Sequence, residues 1–260
     1  MESRYRTPME IVEGFVGEGV KKATTSTMKT IVLGIMAGMF IAFGACTSNV
    51  AAHLIQNTGV AKMAAGAIFP VGLMMIVFIG GELFTGDCLM LIGCMHKKYK
   101  VLKMIEKLTV VFFSNLIGAL IVVLLAYYCG QWELSASALG AYTIKVALGK
   151  ANLSFGKALC SGVLCNLAVC LAVLMGYAAK DIVGKVWAIF FPIFAFVVGG
   201  FEHCDWHSFP LLLSSLIVLF TYSLSSSQSS SSYSYSKSSS MSSSYSNSKS
   251  SSSPISLSSC

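Results

Sequence analysis

Five long apolar runs dominate the chain, at 29–55, 62–95, 104–129, 157–178 and 185–204, and a shorter one follows at 209–224. About 20 apolar residues cross a bilayer core as a helix, so each of the five is long enough to span. Ahead of them, Thr7-Pro8-Met9-Glu10 has the form of a capping box with proline at the first helical position. It opens a short helix reaching about Lys22. Ile11, Val12, Phe15, Val16 and Val20 give that helix one apolar stripe, which lies along the membrane surface or against the bundle. From Ser225 the pattern gives way to a serine tract with scattered Tyr and Lys. Such a segment has no apolar surface to bury and is expected to be disordered. Three regions follow: a cytoplasmic N-terminal amphipathic helix at 1–28, a transmembrane domain at 29–224 and a serine-rich tail at 225–260.

Two of the apolar runs are interrupted in the same manner. The second reads Phe69-Pro70, then nine apolar residues, then Gly80-Gly81-Glu82-Leu83-Phe84-Thr85-Gly86-Asp87. The fifth reads Phe191-Pro192, then six apolar residues, then Gly199-Gly200-Phe201-Glu202-His203-Cys204-Asp205. Polar residues and paired glycines at membrane depth imply non-helical backbone, which is tolerated only where it is buried in protein or lines an aqueous cavity. Gly199 lies 119 positions after Gly80, with three spans per repeat. An odd number of spans inverts the second copy, so the pattern predicts an all-α inverted repeat with broken second and fifth helices. Channel and transporter folds place a midplane site at such breaks.

Composition and charge narrow the class. Only 11% of the 260 residues are charged and 55% are hydrophobic, with a mean hydropathy of +0.74. Soluble domains carry about 25% charged residues, so this chain cannot cover a globular surface with polar groups. The net charge of +7 invites a nucleic-acid reading, but the basic residues sit between apolar runs. Arg4, Arg6, Lys21, Lys22 and Lys29 precede the first run; Lys97, Lys98, Lys100, Lys103 and Lys107 follow the second; Lys180 and Lys185 follow the fourth. The other side holds Lys62, Lys145, Lys150 and Lys157. This asymmetry places the N-terminus in the cytoplasm of a protein integral to the plasma or inner membrane. The nine cysteines include no CxxC pair and read as small packing residues, so neither metal nor cofactor is expected.

The candidate chemistry gathers at the breaks. Thr85 sits where the first broken span restarts, with Asp87 placed to cap it. A half-helix N-terminus there favours an anion, unless Gly80, Gly81 and Gly86 merely form a packing kink. His203 holds the matching position in the second break. It is either a proton donor and acceptor near neutral pH or a neutral side chain bonded to backbone. Glu82 and Glu202 follow the paired glycines and are placed to accept orphan N–H groups. Lys21 or Lys22 before the first span, and Lys150 before the fourth, stand at matching points of the repeat where they would concentrate anions. Asn166 lies mid-span, as interhelical glue or as a pore-lining group. Gly34 and Gly38 form a GxxxG pattern for close helix packing. A nucleophile–base pair is not evident, so an enzyme is not expected.

Together these residues resemble the formate/nitrite transporter family of formate, nitrite and hydrosulfide channels. The match runs through Thr7-Pro8-Met9-Glu10-Ile11, Gly81-Glu82-Leu83-Phe84-Thr85, Asn166-Leu167-Ala168-Val169-Cys170-Leu171-Ala172-Val173 and Gly200-Phe201-Glu202-His203. The resemblance implies a homopentamer of six-span protomers with an aquaporin-like fold, one pore in each. It implies that Thr85 and His203 face each other at the pore centre, with Asn166 as a polar lining residue. Phe69, Leu73, Leu83, Val169 and Phe196 match the flanking apolar constrictions, and Lys21 and Lys150 match the basic vestibules. The substrate implied is a small monovalent anion that crosses either as a neutral acid after taking a proton from His203 or as an anion held by half-helix dipoles.

The C-terminal part is atypical. After the histidine the family continues with a small-residue half-helix and a sixth span, whereas Asp205-Trp206-His207-Ser208-Phe209-Pro210 departs from that pattern. A reading-frame error near Cys204 is the expectation, with a degenerate copy as the alternative. Two competing functions follow: an aquaporin-like neutral-solute channel, which the lack of Asn-Pro-Ala at the half-helix starts disfavours, and a membrane protein that transports nothing.

Overall fold

The computed structural model describes residues 5–200. His203, Glu202, the 209–224 run and the serine tract lie outside the described residues. Helix α1 (Pro8–Thr24) begins at the capping box read from sequence. The Thr7 amide donates to Glu10 Oε2 at 2.6 Å, and the Glu10 amide donates to Thr7 Oγ1 at 3.4 Å. Helix α2 (Thr27–Ala52) is the first span. The second begins as α3 (Thr58–Ile68), capped by Asn57, whose Oδ1 accepts from the Gly59 and Val60 amides at 3.0 and 3.2 Å. It continues after a one-residue step at Phe69 as α4 (Pro70–Ile79).

Two short helices, α5 (Phe84–Asp87) and α6 (Met90–Met95), complete the interrupted span. The third is α7 (Val101–Tyr128). A 3₁₀ turn at Gln131–Glu133 leads to α8 (Ala138–Ala151), and then come α9 (Phe155–Ala178) and α10 (Ile182–Gly199). Five of these segments are long and apolar enough to cross a membrane: Thr27–Ala52, Thr58–Ile79, Val101–Tyr128, Phe155–Ala178 and Ile182–Gly199.

The helices pack through small residues. A Cβ on Gly38 would stand 2.0 Å from the Asn115 carbonyl oxygen, and one on Gly118 would stand 2.0 Å from that of Ile35. Only glycine therefore permits the α2–α7 approach, which fulfils the packing role read from the Gly34–Gly38 pattern. Pro192 does not break α10, which runs on to Gly200 at φ +70. The chain leaves the helix at the glycine pair. Exposed apolar side chains such as Leu159, Val163, Leu167, Leu171 and Met175 recur every four residues along α9, a stripe suited to lipid or another apolar surface rather than water.

Helix α1 is strapped across one end of the bundle. The Arg6 amide donates to the Ala178 carbonyl at 2.8 Å, and the Arg6 guanidinium bonds the Tyr177 carbonyl and lies 4.5 Å from the Tyr177 ring centroid. Phe15 packs on the same ring at 5.0 Å. At its other end the buried Lys107 ammonium bonds the Thr25 carbonyl and donates to Thr30 Oγ1 at 3.3 Å, fixing the turn between α1 and α2. Helix α8, which the hydropathy pattern did not announce, connects α7 to α9 and so sits at the opposite end of the bundle. Its inner face is Leu139, Thr143 and Ala147.

Candidate functional site

The break in the second span is where the chain departs from helix at depth, and its backbone accounts for itself. Gly80 takes φ +90, which a side chain disfavours. The amides of Gly80 and Gly81 both donate to the Ile76 carbonyl, at 2.8 and 3.0 Å. The Glu82 amide reaches across to the Leu33 carbonyl of α2 at 3.3 Å. Asn115 of α7, buried, takes two more. Its Oδ1 accepts from the Phe84 amide at 3.0 Å, and its Nδ2 donates to the carbonyls of Glu82 at 2.9 Å and Gly34 at 2.7 Å. Buried backbone polar groups demand partners, and here one carboxamide supplies several.

This changes the part given to Asp87. Asn115 caps the restart at Phe84, while Asp87 ends α5 and turns its carboxylate to Lys22. Lys22 Nζ bonds Asp87 Oδ1 and lies 2.5 Å from Glu82 Oε2. Glu82 therefore serves an ammonium rather than the orphan N–H groups expected of it. Burial alone would lower the Lys22 ammonium, but the charges of Asp87 and then Glu82, with their hydrogen bonds, outweigh it and hold it above the ordinary lysine value. Lys22 thus stays charged and pins α1 to the break.

Above the break is a cavity of about 480 Å³. Lys21, Lys22, Lys29 and Lys185 give its walls four basic groups, against Glu18, Glu82 and Asp87. Leu73 and Leu83 are among its apolar lining residues and are both buried. Lys21 is solvent-exposed and paired with Glu18 at 3.4 Å, so of the two neighbouring lysines the second engages the break.

Thr85, on α5, is 3% exposed, and its hydroxyl has no hydrogen-bond partner among the described residues. Its amide lies in the first turn of α5, where no intrahelical acceptor exists. The Thr85 carbonyl accepts from Cys170 Sγ at 3.4 Å, and Cys170 also donates to Asn166 Oδ1 at 3.8 Å, one turn back along α9. Asn166 is thus held beside the α5 segment, half-buried.

The apolar candidates fall in one cluster. Leu73, Leu83, Val169 and Phe196 are buried in the same core, with Phe69 packed against it. Phe69 and Phe196 meet edge to face at 5.8 Å. Leu73 and Leu83 face the cavity, whereas the Phe69–Phe196 contact joins the Phe69 step of the second span to α10. Lys150 sits in the last turn of α8, at the far end of the bundle from the cavity. His203 lies outside the described residues. Sequence reading passed over Asn115, although it carries the same signal as Asn166: a lone carboxamide inside an apolar run, Phe112-Phe113-Ser114-Asn115-Leu116. No group of three or more metal-ligating side chains occurs among the described residues.

Residues 9–235 match the sequence pattern of the formate/nitrite transporter family. A protein described as a probable formate transporter of Methanothermobacter thermautotrophicus is 37% identical over 222 residues, covering 78% of this chain and 81% of its own. A formate channel of Bacillus thuringiensis is 35% identical over 204 residues, covering 76% and 77%. Among solved structures, a pentameric formate channel with formate bound is similar at 30% identity, with a TM-score of 0.65, over 72% of this chain and 74% of that one.

Proposed function

Because the chain belongs to the formate/nitrite transporter family and is an integral membrane protein with five segments able to span among the described residues, we propose that it conducts a small monovalent anion such as formate, nitrite or hydrosulfide. The observation that carries this reading is the Thr85 hydroxyl, buried and unpartnered among the described residues, in the chain between Leu83 and Gly86, which both line the basic cavity. A buried hydroxyl without a partner is unfavourable by about 1–3 kcal/mol, which a passing anion would relieve by accepting its hydrogen bond.

Lysines around the cavity raise the local anion concentration. The apolar side chains of Leu73 and Leu83 then penalise the charge, because an ion leaving water for an apolar passage loses its hydration. Protonation removes most of that penalty, and His203, at the matching break, is the proton donor in this reading. Thr85 orients the anion during the transfer, with the first-turn amides of α5 as additional donors. The macrodipole contributes little, since α5 has only four residues. Phe69, Val169 and Phe196 complete the dry passage, Asn166 offers a polar step beside it, and Lys21 and Lys150 serve as the attracting groups at the two mouths. In this reading the chain assembles as a homopentamer with the N-terminus in the cytoplasm.

Flux into proteoliposomes tests the proposal. Formate, nitrite and hydrosulfide are compared with glycerol, for the chain and for His203→Ala. Passage of one anion over glycerol, reduced by the substitution, supports an anion path through the breaks. Glycerol passing faster than every anion would sink it.

A further inference from the structure

Asn115 holds one part of the cavity wall in place from outside it. Its carboxamide bonds the Glu82 carbonyl and the Phe84 amide, the two peptide groups that flank Leu83, and anchors both to the Gly34 carbonyl of α2. Leu83 lines the cavity and Thr85 follows two residues later. The side chain reaches these groups only because Gly34, Gly38 and Gly118 let α7 lie against α2 backbone to backbone. Asn115 does not line the cavity.

We infer that Asn115 is a positioning residue that fixes how far Leu83 projects into the passage and so sets which anions fit. This rests on the channel reading above. The carboxamide suits the task, since one planar group carries an acceptor and two donors at fixed separation. The segment it holds is extended at Leu83, with φ −108 and ψ 127, and its other anchors are the Glu82 amide on Leu33 and the Lys22 ammonium on Glu82 and Asp87, neither of which bonds the Phe84 amide. With the carboxamide gone, the Phe84 amide and the Glu82 carbonyl lose these hydrogen bonds in a dry environment, and the segment responds by moving. Selectivity in narrow pores depends on sub-ångström geometry, so a small displacement of Leu83 is enough to change it.

Two readouts test the inference on the full chain in lipid. Asn115→Ala deletes the clamp. Asn115→Asp keeps the acceptor for Phe84 but loses the donors to Gly34 and Glu82, and serves where the alanine variant does not fold. Amide exchange in peptides covering 81–88 should rise about tenfold or more, while α9 peptides stay protected. In proteoliposomes, the ratio of formate to acetate flux should fall severalfold; this ratio is unaffected by how much protein is folded. Unchanged exchange at 81–88 in both variants overturns the clamp. Faster exchange with an unchanged ratio overturns its control of selectivity. If the unsubstituted chain passes no anion, the channel reading fails, and the exchange result alone decides whether Asn115 orders the break.

Discussion

Replacing Lys22 with methionine would leave Glu82 and Asp87 facing each other without a cation. The Asp87 side chain is 3% exposed, that of Glu82 11% and that of Lys22 26%. At an effective dielectric of about 20, each carboxylate–ammonium contact is worth roughly 4–5 kcal/mol before desolvation. Breaking a buried pair from one side destabilises by about 3–5 kcal/mol. Because Lys22 keeps a quarter of its side chain in solvent, the lower end applies, about 3 kcal/mol. That is more than a hundredfold in a local opening equilibrium. The opening is the undocking of the last turn of α1 from the break, so amide exchange should rise by about that factor in peptides covering 18–25 and 80–88, with α7 unaffected. Neutralising all three groups in Lys22→Met/Glu82→Gln/Asp87→Asn should recover most of the loss, since no charge is then left buried. If the single variant exchanges like the parent chain, the cluster does not hold α1. If the triple variant is as loose as the single one, packing of the lysine stem rather than charge is what matters.

Three further outcomes are expected. Thr85→Val removes a buried hydroxyl that has no partner among the described residues, so the variant should be as stable as the parent or up to about 1–2 kcal/mol more stable. It should nonetheless lose anion flux; a lower melting temperature would show that the hydroxyl is satisfied. Gly118→Ala places a Cβ 2.0 Å from the Ile35 carbonyl oxygen and should destabilise by about 2–3 kcal/mol or more. Gly17→Ala meets nothing within 4 Å and should be neutral or stabilising by up to about 1 kcal/mol; equal melting temperatures for the two would contradict the close α2–α7 approach. The hydrogen bond from the Thr7 amide, then that from the Thr7 hydroxyl, holds the Glu10 carboxyl below its ordinary value. The folded-state value is thus the lower one, and the cap is at full strength above about pH 4.5 and lost as pH falls through the folded value. Exchange in peptides covering 8–12 should accelerate there, and Glu10→Gln should flatten that dependence.

The comparison between sequence and structure divides along one physical line. Length and periodicity are properties of a segment alone, so the starts of the five spans and the Thr7–Glu10 cap were readable to within a few residues. The glycine break was readable too, because Gly80-Gly81 next to Glu82 has no other use inside a span. What was not readable is which distant group answers each polar atom at the break. Glu82 and Asp87 both looked like helix caps, and a cap is the local solution to an orphan N–H. The fold instead brings Lys22 from 60 residues away to Glu82 and Asn115 from 31 residues away to Phe84. Those partners are set by how α1 and α7 pack, which rests on Tyr177, Lys107 and the glycines of α2 and α7. Likewise α8 has only 14 residues and carries Lys145 and Lys150, so no hydropathy window of spanning length singles it out. A carboxylate pair at depth carries a requirement that sequence does state: something basic must meet it. With Lys21 and Lys22 the only lysines of a helix that α2 keeps near the break, the choice lay between two neighbours on different faces. Phe15, Gly19 and Ala23 form the buried face of α1. Lys22 follows Phe15 by seven residues, two turns, and so returns to its face, whereas Lys21 follows it by six and swings out to solvent. The helical period applied to that one buried stripe therefore selects Lys22 over Lys21.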